Sequence, residues 1–312
     1  MSSLESELRD EIRKTAAELG FTVEFFENSA DASTAVGTAE ILFGNVPELC
    51  TKAPCLKWVS ASFAGVEPFL KPDVFAAEGV VLTNASGAYG VTIAEHIVMV
   101  TLEMMRREAE YREIVSRHVW KRDLGIHSIY DSRITMLGTG DIGRKTAVRL
   151  RGFMPACITG ISRSGRPVPE MDRVFQVDEL DRILPETDLL IMSLPGTPET
   201  AGIMNGARLH KLPENGYIVN VGRGSAIDQK ALEKTLREGW LAGAALDVFE
   251  TEPLPPEDSL WTCPRLHITT HTAGNSTLSH TRRFIVEMFL ANLRRYAANE
   301  PLHEVVNREL GY

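Results

Sequence analysis

Arg133-Ile134-Thr135-Met136-Leu137-Gly138-Thr139-Gly140-Asp141-Ile142-Gly143-Arg144-Lys145-Thr146-Ala147 is the stretch that decides the fold. An apolar run of strand length comes first. Glycines follow at positions 1, 3 and 6 of a G-x-G-x-x-G, and then apolar residues at helical spacing (Ile142, Ala147, Val148, Leu150). Strand, tight turn and helix start are the parts a dinucleotide pyrophosphate needs. Gly138 allows the turn, Gly140 lets backbone approach the phosphates, and Gly143 lets helix pack closely on strand. The helix then presents unpaired N–H groups and a positive dipole end to the anion. Thr139, Asp141 and Ile142 complete the predicted set of cofactor contacts in this turn. Glycine-rich turns of other α/β proteins show the same spacing, so the rest of the chain has to agree with it.

Outward from that turn, the chain alternates. On the C-terminal side, strand-like runs at 156–161, 188–194, 217–221, 243–248 and 266–270 are separated by helical patterns. One of these is a helix over 228–238, with Asp228 as N-cap and Gly239 as its stop. Six strands, counting the first, predict a doubly wound parallel sheet. On the N-terminal side, the spacing predicts a helix over 3–19, with Ser2 and Glu5 as a capping box. Short strand-like runs at 21–26, 41–43, 58–61 and 80–83 then predict a smaller parallel sheet. A long helical pattern over 92–117 reads as a connector, its Met99, Met104 and Met105 as core or subunit interface. A loop over 120–131 leads into the central strand. A second long helix over 278–298, ended by Pro301, returns to the first domain. The predicted domains are 1–91 with 284–312, and 92–283.

With 312 residues there is core enough for two domains, and 44% hydrophobic with 24% charged residues is ordinary for a globular enzyme. A net charge of −9 argues against a nucleic-acid partner. No apolar stretch approaches 18 residues, and the acidic N-terminus lacks the pattern of a signal peptide, so neither a membrane nor export is expected. Cys50, Cys55, Cys157 and Cys263 are scattered without a C-x-x-C, which reads as reduced thiols in a cytoplasmic protein without a zinc site.

Ligands of doubly wound sheets bind beyond the carboxyl ends of the strands. Four of these ends carry polar groups. The first is Ser162-Arg163-Ser164-Gly165-Arg166, about 20 residues past the glycine-rich turn, where an NAD site places an acidic residue for the ribose 2′-hydroxyl. Serines and arginines instead suit a 2′-phosphate, so NADP(H) is favoured and NAD(H) is the alternative. The second is Val221-Gly222-Arg223-Gly224, an arginine between glycines. The third is Asp247-Val248-Phe249-Glu250-Thr251-Glu252, three carboxylates in six residues. The fourth is His267-Ile268-Thr269-Thr270-His271, in which alternation puts both histidines on one face and only position favours His271. Each alone reads equally well as a surface charge, a solvated loop or a structural histidine.

Taken together, the segments have a familiar order. They are Ala64-Gly65-Val66, Thr83-Asn84-Ala85 through Ala94-Glu95-His96, the turn up to Gly143, Leu194-Pro195-Gly196-Thr197-Pro198-Glu199-Thr200, Asn220-Val221-Gly222-Arg223-Gly224, Asp247 through Pro253, and Thr270-His271-Thr272-Ala273-Gly274. With them the chain resembles the D-isomer-specific 2-hydroxyacid dehydrogenases over nearly all of its length. The resemblance implies an α/β fold with a Rossmann-type doubly wound parallel sheet and a smaller flavodoxin-like substrate domain. It implies an NAD(P)-dependent oxidoreductase acting on the CH–OH group of a small 2-hydroxy acid, or reducing the 2-keto acid, in a cleft between domains. It carries catalytic roles onto Arg223, Glu252 and His271: His271 as acid and base, Glu252 as the carboxylate fixing its tautomer, Arg223 as the partner of the substrate carboxylate and carbonyl. Ala64, Gly65 and Val66 would hold the substrate carboxylate, with Tyr89 a pocket candidate on position alone. Asp247 would meet the nicotinamide carboxamide, and Leu194, Pro195, Thr200, Val221 and Gly274 would line the cofactor. His96, His118 and His267 are read as structural. The family and the methionine-rich helix suggest a homodimer.

Two features depart from the family pattern: the chain opens at a helix rather than a strand, and Phe153-Met154-Pro155-Ala156-Cys157 replaces the usual Phe-Gly-Met. The rival reading is an NAD(H)-sensing regulatory binding protein of the same fold, which the complete Arg223, Glu252 and His271 set argues against. Formate oxidation would call for a glutamine just before His271, where Thr270 stands.

Overall fold

Runs such as Ile134–Leu137 and Leu189–Met192 are apolar at consecutive positions, which suits strands covered on both faces. In the computed structural model, which describes residues 4–311, they form the core of a parallel seven-stranded sheet. Its strands are β4 (Arg133–Leu137), β5 (Cys157–Ser162), β6 (Arg173–Gln176), β7 (Leu189–Met192), β8 (Tyr217–Asn220), β9 (Gly243–Leu246) and β10 (Leu266–Ile268). The order is β10-β9-β8-β7-β4-β5-β6. The chain thus builds outward from β4 in one direction, then starts again at β7 and builds in the other. The switch point between β4 and β7 lies directly beyond the glycine-rich turn, where such sheets bind ligands. Strand β6 is a seventh member that sequence reasoning left among the helical segments. It pairs with β5 in the register Thr159↔Arg173 to Ser162↔Gln176.

Contacts divide the chain into two units, one of residues 90–275 and one of the residues up to Tyr89 with those from Ser276 onward. The predicted boundaries differ from these by two residues at one junction and eight at the other. The second junction moves because Ser279–Ala297 is a single continuous helix that belongs whole to the smaller unit.

The smaller unit holds a parallel three-stranded sheet, β1 (Ile41–Phe43), β2 (Trp58–Ser60) and β3 (Val81–Thr83), in that order. Helix α1 (Ser6–Glu18) buries Leu8, Ile12 and Ala16 against Trp58 and against Val286, Phe289, Leu290 and Leu293 of the 279–297 helix. Of the predicted capping box, Ser2 lies outside the described residues. Glu5 stands at the N-cap without a side-chain cap, and instead accepts from Arg282 at 2.6 Å. The predicted strand at 21–26 is extended chain without a ladder. Phe21, Val23 and Phe25 still alternate inward and pack on the core. In a flavodoxin-like order the strand at 21–26 sits at an edge beside the one preceding the first helix. Among the described residues no strand stands there.

The helical pattern over 92–117 is two helices, α2 (Gly90–Arg106) and α3 (Glu108–Ser116), broken at Arg107 with φ +56°. Ile93, Ile97, Val100 and Met104 are buried along α2, whereas α3 buries nothing, so the apolar stripe ends where the helix breaks. No helix among the described residues is long and apolar enough to cross a membrane.

Candidate active site

Helix α4 (Asp141–Arg151) begins immediately after Gly140. Gly138 has φ +112°, and a Cβ on Gly143 would lie 2.2 Å from the Gly138 carbonyl oxygen, so strand, turn and helix touch through backbone. A Cβ on Gly140 would meet nothing within 4 Å. That glycine therefore faces open space, and the helix N-terminus behind it has no side-chain cap. An anion-binding cradle has these properties: free amides, a positive dipole end and room for phosphate. The residues present fit a dinucleotide.

At the end of β5, Ser162 Oγ accepts from Gly165 N at 3.2 Å, and Ser164 Oγ accepts from Arg166 N at 3.3 Å. The hydroxyls shape the turn while Arg163 and Arg166 are exposed beside it. At the end of β7, Leu194 is buried, and Thr200 Oγ1 donates to the Pro195 carbonyl at 2.7 Å, folding the loop onto itself. Backbone contact joins the next ends. A Cβ on Gly222 would lie 2.6 Å from Leu194 N, and one on Gly224 would lie 1.9 Å from the Phe249 carbonyl carbon. The glycines flanking Arg223 are thus needed for close packing of three loops, more than for exposing the arginine. Arg223 itself is half-buried in extended backbone, and its Nη1 donates to the Gly222 carbonyl at 2.8 Å.

The three carboxylates after β9 have three environments. Asp247 is 3% exposed, Glu250 is exposed, and Glu252 divides its oxygens. Glu252 Oε1 accepts from Phe249 N at 2.9 Å, and Oε2 lies 2.7 Å from His271 Nδ1. One oxygen anchors the carboxylate, so the other holds the imidazole with a fixed orientation and leaves Nε2 as the ring's second nitrogen. His271 lies past the end of β10 with φ +55°, and its N–H donates to the Asp247 carbonyl at 2.8 Å. Asp247 Oδ1 accepts from Thr272 N at 2.9 Å and Oδ2 from Ala273 N at 3.0 Å. His267 is half-buried within β10, 3.8 Å from Glu103, and burial pushes its pKa below the ordinary imidazole range.

The remaining predicted site residues belong to the smaller unit. Val66 is buried, and the Ala64 carbonyl accepts from Asn84 Nδ2 at 3.0 Å. Tyr89 is buried beside Phe63, and its hydroxyl donates to the Ser62 carbonyl at 2.8 Å. Burial raises its pKa above the ordinary phenol range. Sequence reasoning did not single out Thr269, whose hydroxyl lies between Asp247 and His96 at this end of β10. The one available signal was the even spacing of Thr269 between two histidines.

A pyrophosphate cradle at the switch point of a doubly wound sheet, beside a carboxylate-held imidazole, defines the class: a nicotinamide-dinucleotide oxidoreductase. Comparison with known proteins is specific about the group within it. Residues 98–273 match the family model described as D-isomer specific 2-hydroxyacid dehydrogenase, NAD binding domain. The chain is 33% identical over 264 residues to glyoxylate/hydroxypyruvate reductase A of Escherichia fergusonii, 82% of each chain being covered. It is similar in structure to a D-isomer specific 2-hydroxyacid dehydrogenase family protein from Aeromonas salmonicida, with a TM-score of 0.87 at 31% identity, covering 96% of this chain and 95% of that one. It is also similar to an NADPH-dependent glyoxylate/hydroxypyruvate reductase from Sinorhizobium meliloti, solved with NADP and sulfate (TM-score 0.82, 29% identity, 97% and 96% covered). The chain belongs to the D-isomer specific 2-hydroxyacid dehydrogenase family. It is an NAD(P)-dependent oxidoreductase acting on 2-hydroxy and 2-keto acids.

Proposed function

We propose that the chain reduces a small 2-keto acid of the glyoxylate or hydroxypyruvate kind to its 2-hydroxy acid, the D isomer where the product is chiral, preferring NADPH, as a cytoplasmic homodimer. The observation that carries the chemistry is the 2.7 Å contact between Glu252 and His271 Nδ1. When bound, the nicotinamide supplies hydride to the keto carbon. His271 Nδ1–H donates to Glu252, so Nε2 is the atom that gives a proton to the keto oxygen and recovers it in the reverse direction. Arg223 pairs its guanidinium with the substrate carboxylate and places fixed positive charge where the oxygen becomes negative. In the smaller unit, Ala64, Gly65 and Val66 are proposed as substrate-binding residues. A carboxylate has about four hydrogen-bond positions. Thr269, Thr272 and Ala273 all donate to Asp247, and the nicotinamide carboxamide is proposed to take a further place.

The substrate kind is supported by the names of the relatives, among them a glyoxylate reductase of Thermofilum pendens. The NADPH preference is supported by Arg163 and Arg166 where an acidic residue would repel the 2′-phosphate. Four free cysteines suit a reducing compartment. The dimer is supported by apolar side chains standing in solvent along and after α3: Val115 (66% exposed), Trp120 (93%) and Tyr130 (63%).

The test is a panel of keto acids with both cofactors, followed by loss of nicotinamide absorbance. Turnover on glyoxylate or hydroxypyruvate is expected, and no turnover on any keto acid would refute the reading. His271→Asn should lower kcat by about 10²–10⁴-fold. Arg163→Ala should raise the KM for NADPH at least about tenfold while leaving NADH little changed. Equal losses would refute the 2′-phosphate role. Light scattering should give twice the 34.5 kDa chain mass, and Trp120→Lys should shift the particle toward monomer.

A further inference from the structure

We propose that His96 and Thr269 are positioning residues for the proton-transferring imidazole, acting on it through Asp247. The proposal rests on His271 being the proton carrier. Its starting point is the backbone of that residue. A φ of +55° is uncommon for a histidine and persists only where the surroundings impose it. Here Asp247 imposes it: the main-chain carbonyl accepts from His271 N, and the two carboxylate oxygens accept from Thr272 N and Ala273 N. The direction in which the imidazole leaves the chain therefore depends on the rotamer of one buried carboxylate.

That rotamer is itself held. Thr269 Oγ1 lies 2.6 Å from Asp247 Oδ1 and 3.3 Å from His96 Nε2, with His96 on helix α2. The hydroxyl has a single proton, and a carboxylate accepts but does not donate. Thr269 therefore donates to Asp247, its oxygen accepts, and His96 must carry its proton on Nε2. Burial, opposed by the charges of Asp247 and Glu103, holds the His96 imidazole below its ordinary pKa range. The chain of bonds requires an N–H on Nε2, and the neutral Nε2–H tautomer supplies it. The result is a line from α2 through β10 to the turn bearing His271, every link of which has a defined donor and acceptor. His96 and Thr269 touch none of the predicted cofactor contacts except Asp247 in the bonds described, so their effect on rate runs through that residue.

The test uses full-length Thr269→Val, Thr269→Ser, His96→Phe and His96→Gln, with His271→Asn alongside. For each, kcat, the KM for the keto acid, the Kd for NADPH by fluorescence and the thermal midpoint are measured. Thr269→Val should lose about 10–100-fold in kcat, the cost of a small misplacement of a catalytic group, with the KM for the keto acid within about twofold of the parent and the Kd for NADPH changed less than kcat, Asp247 being also the proposed carboxamide partner. Thr269→Ser, which keeps the hydroxyl, should restore kcat to within about threefold. His96→Gln, which keeps an N–H donor, should exceed His96→Phe by about tenfold. An unchanged kcat in Thr269→Val, equal losses in the Val and Ser variants, or a loss confined to KM or Kd would overturn the proposal. Should Thr269→Val fail to fold, the His96 pair decides on the same criteria. Activity surviving in His271→Asn would instead overturn the role of His271. Activity lost there but intact in Thr269→Val would overturn the positioning proposal alone.

Discussion

Both sheets are parallel ladders, but what packs around the strands differs from one unit to the other. In the larger unit, neighbouring strands are in continuous parallel ladders, and their carboxyl ends are locked by backbone against backbone, as at Gly224 on Phe249. In the smaller unit, three short strands lie against an aromatic slab. Phe43 stacks on Phe289 at 4.3 Å, and Trp58 lies between Phe289 and Tyr296 at 5.5 and 5.6 Å. The stretch at 21–26 is the extreme case. Phe21 rests on Tyr296, and Phe25 lies under the guanidinium groups of Arg9 and Arg13, with side chains doing all that a ladder does for β6. A loop that must hold an imidazole within tenths of an ångström gains from backbone packing, which has few alternative rotamers. A slab of aromatic rings supplies stability with looser geometric demands.

The largest test of that contrast is Trp58→Ala, which removes a fully buried ring and its hydrogen bond to Thr83. It should cost about 3–5 kcal/mol in denaturant titrations. Gly224→Ala comes next at about 3 kcal/mol, since the new Cβ meets main chain that cannot rotate away. Its kcat should fall even where the protein still folds, and a Gly224→Ala enzyme of parental stability and rate would break the contrast. Phe25→Ala should cost under about 1.5 kcal/mol, because the ring is only partly buried. Hydrogen exchange sharpens the same point: amides of 22–26 should exchange faster than those of β6, and equal protection would mean a ladder exists there.

The smallest effect is electrostatic. The Glu40 carboxyl is held below its usual range by the Tyr296 hydroxyl at 2.6 Å and by Lys57. A depressed carboxylate stabilises the fold above its unfolded pKa near 4.5 and loses that contribution as pH falls through the lower folded value. Glu40→Gln should therefore lower the thermal midpoint slightly at pH 7, with the difference closing as pH drops below about 4. Lys57 and Glu40 are well exposed, so solvent screening keeps the effect small.

What the sequence determined by itself was local or periodic. The glycines at 138 and 143 record a positive φ and a backbone contact that side chains do not tolerate, the one at 140 records open space before the helix, and consecutive apolar runs record burial on both faces. Motif order then located Arg223, Glu252 and His271 at strand ends. Only the tertiary structure decided the rest. Pattern alone put a strand at 21–26 and none at 173–176, yet a strand needs a neighbour in register: 173–176 pairs with β5, whereas 21–26 packs through its side chains and pairs with no strand of the smaller sheet. The stripe through 92–117 similarly did not show that its far half buries no side chain within the described residues. Asp247, Thr269 and His96 are far apart in the chain and unremarkable singly. Their meaning comes from which donor faces which acceptor, and that is settled when α2, β9 and β10 pack together.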